Sequence, residues 1–267
     1  MFVIVRGAGD LATGIALRLH RAHFRIVMTE IAQPTTIRRT VSFSEAVRCG
    51  NTEVEGVRAV LADSPAQALE LAESGKLAVL VDPLGESVPV LHPDALVDAI
   101  LAKRNLGTRI TDAPVVIGVG PGFTVGVDCH AAVETMRGHD LGRALYRGSP
   151  IENTGVPGLI GGFAGERVLR APADGVFVPL RQIGDRVREG DAVGSVNGVP
   201  MRCTIGGVLR GLLAEGIPVT RGMKAGDVDP RCEVSHCWRA SDKALAVGGG
   251  VLEAILHLRE EAPWKTK

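Results

Sequence analysis

A glycine-rich loop near the start of the chain constrains this sequence most. Residues 2–5 form a short apolar run, the loop follows directly, and leucine and isoleucine then recur at helical spacing. Glycines at such a turn let a pyrophosphate approach the backbone, and the N–H groups and dipole at a helix start favour its negative charge. We therefore expect a nucleotide-type cofactor here; the alternative is a tight turn whose small residues serve packing. The expected binding positions are Gly7, Gly9, Asp10, Leu11, Ala12 and Gly14.

Two further features extend this expected binding site. The strand-like residues 25–30 end in Glu30, about twenty residues after the loop, where an acid commonly binds a ribose hydroxyl. An acid there favours NAD over NADP, because it repels a 2′-phosphate. A second buried strand, residues 114–119, leads into another glycine turn that is expected to line the same crevice. The glycines of that turn are Gly118, Gly120 and Gly122.

The order of apolar segments predicts an α/β fold. Residues 76–81 and 114–119 are typical of buried strands, and residues 94–103 of an amphipathic helix. Strands that alternate with helices indicate a parallel sheet with right-handed crossovers. We expect a Rossmann-like nucleotide-binding domain over residues 1–160, because the composition shifts to Gly, Pro, Asn and Thr near residues 149–165. That shift also suits an extended ligand loop.

The following residues, 166–232, have an all-β pattern with an internal repeat. A segment that begins at Gly175 recurs from Gly207 with three glycines and two valines in register. The repeat resembles the barrel-sandwich hybrid module of biotinyl and lipoyl carrier domains, but the turn between its halves is Asn197–Gly198 and carries no lysine, which disfavours a swinging arm. A C-terminal helix is expected over residues 241–262, and three glycines at 248–250 indicate close packing or a ligand contact.

Two sets of chemically reactive side chains stand out. A carboxylate, a thiol and an imidazole are adjacent in Asp128, Cys129 and His130, which are weak catalytic candidates; ordinary residues at a helix start are the alternative. Three soft ligands lie within six residues, but structural zinc usually takes four, so no metal is expected. These weak metal candidates are Cys232, His236 and Cys237.

A basic cluster offers a separate means of binding phosphate, with solvated helix ends as the alternative. Its members are Arg38, Arg39, Lys103, Arg104 and Arg109, with Asn105 and Thr108 interspersed.

Composition excludes several classes of partner. Thirty Lys and Arg balance thirty Asp and Glu, so no net field attracts nucleic acid or an anionic membrane. The longest uncharged stretch, residues 113–127, is too short to span a bilayer. Five cysteines are an odd number at irregular spacing, and the chain begins without a signal-peptide pattern. We expect a cytoplasmic protein with free thiols.

Motifs along nearly the whole chain resemble one family, the YqeB-type proteins of the selenium-dependent molybdenum hydroxylase system. The resemblance implies an accessory or maturation role for a molybdenum hydroxylase that carries a labile selenium ligand, with that hydroxylase and its maturation proteins as partners. It carries over no catalytic residue. The motifs are residues 7–14, 27–34, 101–108, 118–130, 136–142, 171–175, 241–243 and 248–253.

Three functional hypotheses follow. The first is a hydroxylase maturation factor that holds a molybdopterin dinucleotide at the glycine loop. The second is an NAD(P)-dependent oxidoreductase that acts on a small molecule or a selenium species. The third is a non-enzymatic module whose β domain docks onto the hydroxylase, since a fold alone fixes no chemistry. The sequence decides neither the ligand nor whether the protein forms a homo-oligomer.

Overall fold

The computed structural model describes residues 1–155 and 158–261, and the chain divides into two units. Unit 1 comprises Met1–Pro34, Phe43–Thr154 and the residues from Ala240 onward, whereas unit 2 comprises Thr35–Ser42 and Gly155–Arg239. Residues 156, 157 and 262 fall within the expected domain 1–160 and the expected helix 241–262, and they lie outside the described residues.

Unit 1 contains a nine-stranded sheet in the order β3-β4-β5-β2-β1-β6-β7-β8-β9. The seven strands from β4 to β8 in this order are parallel, and β3 and β9 run antiparallel at the two edges. The strands are β1 (Phe2–Arg6), β2 (Arg25–Glu30), β3 (Asn51–Val54), β4 (Val57–Ala62), β5 (Leu77–Val81), β6 (Ala95–Asp98), β7 (Val115–Val119), β8 (Ala131–Val133) and β9 (Ala144–Leu145). The helices are α1 (Asp10–Arg21), α2 (Glu45–Cys49), α3 (Pro65–Glu73), α4 (Val88–Leu91) and α5 (Asp242–Glu261).

The sheet corrects the expected Rossmann-like parallel fold, which was wrong. Strands β3 and β4 form an antiparallel hairpin because Glu55 and Gly56 both adopt positive φ, +49° and +79°, as a two-residue turn requires. The helix expected over residues 94–103 was also wrong. Residues 95–98 form β6, and all four are buried in a strand that pairs with β1 and β7. Short apolar runs of this length do not distinguish a buried strand from a helix.

Unit 2 consists of two antiparallel sheets of four strands each, so the expected barrel-sandwich-like domain was wrong. Pairing follows the internal repeat: Gly175 in the first copy pairs with Val219 in the second, and Gly207 in the second pairs with Val187 in the first. The orders are β10-β17-β15-β12 and β14-β13-β11-β16. The strands are β10 (Val168–Arg170), β11 (Gly175–Pro179), β12 (Arg186–Val187), β13 (Ala192–Val196), β14 (Val199–Arg202), β15 (Gly207–Leu212), β16 (Pro218–Val219) and β17 (Lys224–Asp229).

The hairpin expected at Asn197–Gly198 is confirmed. It joins β13 to β14, and the two residues have φ of +49° and +79°. One hydrophobic cluster contains residues of both sheets, among them Phe177 and Leu209. Short 3-10 helices also belong to unit 2, at Arg39–Val41, Gly165–Arg167 and Val234–Cys237.

A buried network of charged side chains supports β15 and β17 in unit 2. Asp227 accepts from Arg167 at 3.0 Å and from Arg210 at 2.8 and 2.5 Å. Asp229 accepts from Arg210 at 3.2 Å and from Arg231 at 2.7 Å. Burial alone would raise the pKa of Asp229, but the hydrogen bonds from Arg231 and the charges of Arg210 and Arg231 outweigh it and hold this pKa well below its usual range.

The C-terminal helix α5 is not a separate element, as the expected fold class had it, but part of unit 1, where it packs against α1. The close packing expected at residues 248–250 is confirmed for two of the three glycines. A Cβ atom on Gly248 would lie 2.7 Å from the carbonyl oxygen of Gly14, and one on Gly250 would overlap the carbonyl oxygen of Gly142. A Cβ atom on Gly14 would lie 2.6 Å from Ala244. The two helix backbones therefore approach closely only because side chains are missing.

Among the helices of the described residues, none is both long and apolar enough to cross a membrane.

The first prediction concerns a matched pair in α5. We expect Gly248→Ala to lower the free energy of unfolding by about 1–3 kcal/mol, because its methyl group overlaps Gly14. Gly249→Ala meets no atom within 4 Å and should raise it by about 0.5–1 kcal/mol, because alanine favours a helix. Guanidinium unfolding of both variants measures the difference. Equal effects of the two substitutions would contradict the packing described.

The second prediction concerns acid stability. The folded state lowers the pKa of Asp229, so its contribution to stability is present above the ordinary carboxyl pKa of about 3.9 and is lost as the pH falls further. Asp229→Asn should cost about 3–5 kcal/mol at pH 7, because it breaks a buried charge network. Urea unfolding from pH 7 downward should show a smaller acid dependence in this variant than in wild type. The exposed Glu189→Gln serves as control and should match wild type.

Candidate functional site

Four carboxylates, three of them buried and Glu30 half-buried, stand where parallel strands of unit 1 end. Glu30 ends β2, Asp98 ends β6, Asp82 follows β5 and Glu134 follows β8. Because the carboxyl ends of parallel strands share one edge of the sheet, this edge is where ligands usually bind in open α/β sheets. Each of these carboxylates, however, accepts hydrogen bonds from the loop beside it.

The loop after β5 and the loop after β8 are each held by one side chain. Asp82 accepts from the amides of Gly85, Glu86 and Ser87 at 2.8–2.9 Å, and from the Ser87 hydroxyl at 2.6 Å. Burial opposes the charged form of Asp82, but these hydrogen bonds prevail and lower its pKa. The edge is therefore supported by internal hydrogen bonds.

Glu134 holds the loop after β8 in the same way, by accepting hydrogen bonds from backbone amides. Its carboxylate accepts from the amides of Thr135 and Met136 at 2.6 Å and from that of Ile151 at 2.7 Å. Three donors saturate most of this buried acceptor, so it has little capacity left for a ligand.

Arg6, at the end of β1, belongs to a buried group with Asp98 and Thr108. Arg6 Nη1 donates to the Thr108 hydroxyl at 2.6 Å, that hydroxyl donates to Asp98 Oδ2 at 2.6 Å, and Arg6 Nη1 lies 3.6 Å from Asp98 Oδ2. Asp98 also accepts from the amide of Ile100 at 3.1 Å. This group fixes the loop after β6.

The expected nucleotide loop lies at the start of α1, but the amides of Gly7 and Ala8 have partners inside the protein. Glu30 Oε2 accepts from the Ala8 amide at 3.0 Å, and the Gly7 amide donates to the Thr29 carbonyl at 2.8 Å. Burial raises the pKa of Glu30, while the amides of Ile31 and Ala8 offset part of this effect. The carboxylate therefore stands beside the loop where a phosphate would have to approach, and its charge repels phosphate.

Packing requires the glycines that suggested phosphate binding. A Cβ atom on Gly7, whose φ is +94°, would lie 2.8 Å from the carbonyl oxygen of Ala99. One on Gly122 would lie 2.5 Å from the Cα of Arg104. A Cβ atom on Gly14 would meet Ala244, as described above. One on Gly118 would overlap the Phe123 ring, and one on Gly120 would lie 2.8 Å from the Thr135 hydroxyl. Gly9 precedes α1, Asp10 begins it, Leu11 is half-buried and Ala12 is buried.

The three catalytic candidates engage different partners. Asp128 accepts from the Asn105 side-chain amide at 3.0 Å and from the Thr124 amide at 2.8 Å. His130 Nδ1 accepts from the Val116 amide at 3.0 Å, and burial lowers the pKa of this imidazole. Burial raises the pKa of the Cys129 thiol to about 11, so it is protonated at neutral pH. These contacts connect loops to β7 and β8.

The three weak metal candidates of unit 2 are likewise spread over different environments. Cys232 is exposed and Cys237 is buried. His236 Nδ1 lies 3.6 Å from Asp229 Oδ2, within the charge network. Within residues 1–155 and 158–261, no group of three or more His, Cys, Asp or Glu side chains is arranged to hold a metal ion.

The basic residues form two separate sets. Arg38 and Arg39 belong to unit 2, where they donate to the carbonyls of His236 and Leu212 at 3.0 and 2.9 Å. Lys103 belongs to unit 1, in the loop after β6.

Lys103, Arg137 and Lys243 form a group that the sequence interpretation did not assemble. Lys243 lies in the first turn of α5, and burial lowers its pKa most, followed by the charges of Lys103 and Arg137; Asp10 and Glu134 act in the opposite sense with smaller effect. We name Lys103, Arg137 and Lys243 the cation cluster. One signal could have identified it: a lysine in the first turn of a helix opposes the helix dipole.

One curated protein resembles this chain closely. "Uncharacterized protein YqeB" of Escherichia coli (strain K12) is 50% identical over 265 residues, which cover 99% of this chain and 49% of that protein. The chain thus spans about half the length of the relative it matches. This similarity supports the YqeB-type resemblance, and the relative's name states no role. No family model matches the chain.

Solved structures resemble the chain only weakly. An aspartoacylase family protein from Mesorhizobium loti is 12% identical, with a TM-score of 0.28 and coverage of 85% of this chain and 84% of that chain. A succinylglutamate desuccinylase/aspartoacylase from Rhodobacter sphaeroides is 13% identical, with a TM-score of 0.24 and coverage of 85% and 86%. Likeness of this degree carries no argument about this chain's chemistry.

The expected function was wrong. Within the chain, Glu30 occupies an amide of the loop that was to bind phosphate. Hydroxylase maturation with its molybdenum and selenium cofactors and NAD(P)-dependent oxidation both rested on phosphate binding at this loop.

The third prediction tests the placement of the thiols. Cys49 and Cys232 are exposed, whereas Cys129, Cys203 and Cys237 are buried, and burial raises the pKa of each buried thiol. Iodoacetamide at pH 8 should modify only the two exposed cysteines in the native protein and all five in guanidinium, as peptide mass spectrometry will show. Rapid native modification of Cys129 would contradict its placement and restore it as a nucleophile.

Proposed function

We propose that unit 1 binds a small anionic molecule, one that carries a carboxylate or a phosphate, at the cation cluster. The observation that carries this proposal is that Arg137 binds Asp242 in the first turn of α5, the turn that also contains Lys243, and that the charge of Lys103 acts on Lys243. Cations placed close together favour a bound anion, because they repel one another and the anion lowers this electrostatic energy.

Main-chain packing places these helix starts together. Gly14 in α1 lies against Ala244 in α5, and Gly142, in the loop after β8, lies against Ala246. The α1 and α5 helices have 12 and 20 residues, so each has a developed dipole with its positive end at its first turn. Both dipoles favour an anion at this position.

Carboxylates near the cluster are engaged by other donors. Asp242 binds Arg137 through two hydrogen bonds of 2.9 and 3.0 Å, so this pair carries no net charge and the net positive charge of the cluster comes from its two lysines. Glu134 is occupied by the amides of Thr135, Met136 and Ile151. Asp10 stabilises its own helix as an acid in the first turn. Lys243 is half-buried, and its neighbourhood disfavours its charge in the absence of a ligand.

The fourth prediction is anion-dependent stabilisation. Inorganic phosphate and glycolate represent the two chemical classes, and sodium chloride at matched ionic strength is the control for screening. At about 100-fold above its Kd, a specific anion should add about 2.7 kcal/mol to the free energy of unfolding. Thermal unfolding measures the effect. A response to phosphate alone indicates a phosphorylated ligand, whereas a response to glycolate indicates a carboxylic acid.

Matched lysine variants locate the binding. Lys243→Met should lose the stabilisation, whereas Lys76→Met should keep it, because Lys76 is exposed at the opposite, amino-terminal end of β5. Equal responses to chloride and to both anions, or an unchanged response in Lys243→Met, would refute the proposed site.

A further inference from the structure

We infer that the buried guanidinium group of Arg6 contacts a ligand, donating a hydrogen bond from Nε to a neutral carbonyl oxygen such as that of a carboxamide or a ketone. This is a second site in unit 1, and it does not depend on the cation cluster. Three features of the site point to a ligand: an unsatisfied donor, the space beside it and its place in the sheet.

Arg6 Nε is a buried donor without an acceptor. The Arg6 side chain is only 5% exposed, and among the described residues Nε has no hydrogen-bond partner. The guanidinium group is held from its other side, where Nη1 donates to the Thr108 hydroxyl at 2.6 Å. Buried donors in folded proteins are nearly always hydrogen-bonded, so an unsatisfied one points to a group that binds there.

A glycine leaves room beside this donor. A Cβ atom on Gly85, in the loop after β5, would lie 3.3 Å from Arg6 Nε and 3.5 Å from Arg6 Cζ, and the next described atom outside residues 84–86 is Val88 Cγ2 at 3.7 Å. A ligand oxygen slightly closer to Nε than this point would have the usual N–H···O distance of about 3 Å. Gly85 is half-buried and its neighbours Leu84 and Glu86 are exposed, so the loop borders solvent.

Arg6 stands where the strand order of the sheet reverses. Strands β2, β5 and β4 follow β1 on one side, and β6, β7 and β8 follow it on the other. Arg6 ends β1, Asp98 ends the adjacent β6, and the two residues are partners in the pairing of these strands. In open α/β sheets, ligands bind beyond the carboxyl ends of the strands at such a reversal. The unsatisfied donor therefore lies where this architecture usually binds a ligand.

The charges at the site favour a neutral acceptor over an anion. Arg6 Nη1 lies 3.6 Å from Asp98 Oδ2, and the Thr108 hydroxyl donates to the same oxygen at 2.6 Å, so Asp98 already compensates the positive charge. A carboxylate from a ligand would add an uncompensated negative charge to a buried site, which is costly. A carbonyl oxygen accepts a hydrogen bond without adding charge. The site should therefore accept a carboxamide and reject a carboxylate of the same shape.

The fifth prediction is that acetamide, but not the similarly shaped acetate, moves the NMR signal of the Arg6 Nε–Hε group. The isotope-labelled full chain is titrated with each compound, and sodium chloride at the ionic strength of the acetate controls for screening. We expect acetamide to shift the Arg6 signal downfield along a saturable curve. The signal of Arg109, whose side chain is 80% exposed, should drift linearly and less. Arg6→Lys identifies the signal by its loss.

Matched glycine variants locate the ligand. Gly85→Ala places a methyl group in the proposed space and should abolish the shift. Gly56→Ala should keep it, because Gly56 has nearly the same φ, +79° against +77°, and a Cβ atom there meets no atom within 4 Å. Gly85→Ala also perturbs the Arg6 signal directly, which identifies that signal if Arg6→Lys does not fold. Lys243→Met should leave the acetamide response unchanged, which separates this site from the cation cluster.

Three results would overturn the inference. An Arg6 signal that acetamide does not move would mean that water alone satisfies this donor. An equal response in Gly85→Ala would mean that the ligand does not occupy the space beside Gly85. A saturable response to acetate alone would mean that the site selects an anion. Because each of these readings follows the Arg6 signal itself, each can fail while anion binding at the cation cluster holds, and the reverse is equally true.

Discussion

The contact between the backbones of α1 and α5 determines much of unit 1. Gly14 and Gly248 face one another, and a single methyl group on Gly248 would overlap the carbonyl oxygen of Gly14. This approach places the first turn of α5 against Gly14 and brings Lys243 within range of the charge of Lys103, which is far away in sequence. Without it, the cation cluster would not exist, because its members come from three distant segments of the chain.

The edge of the sheet shows how a familiar motif can serve internal support. A glycine loop after a first strand and an acid at the end of the second are typical of dinucleotide binding. Here the Glu30 carboxylate accepts a hydrogen bond from the Ala8 amide of the loop. Position 7 needs a glycine because a Cβ atom there would clash with the carbonyl oxygen of Ala99. The motif and the acid are both present, but the Glu30 carboxylate occupies the Ala8 amide and places a negative charge beside the loop.

The sequence predicted the elements whose signals are local and missed those that depend on distant neighbours. Strands β1, β2, β5 and β7, the helix α1 and the turn at Asn197–Gly198 lie where periodicity and turn chemistry indicated. Strand β6 was missed because its conformation depends on pairing with β1 and β7. Lys103 was noticed within a basic cluster, but nothing near it in sequence indicates Lys243, which the packing of α5 brings beside it. The sequence could indicate only that Lys243 lies in the first turn of a helix, where a positive charge is unfavourable.

The course of the chain through the two units has a consequence for biosynthesis. Unit 1 is interrupted twice, by Thr35–Ser42 and by Gly155–Arg239, and α5 follows the whole of unit 2. During translation, α1 therefore emerges long before the helix that covers it, and the face of α1 that α5 buries stays uncovered while unit 2 is made. Apolar side chains exposed for that interval are the kind of surface on which chaperones act and from which aggregation begins.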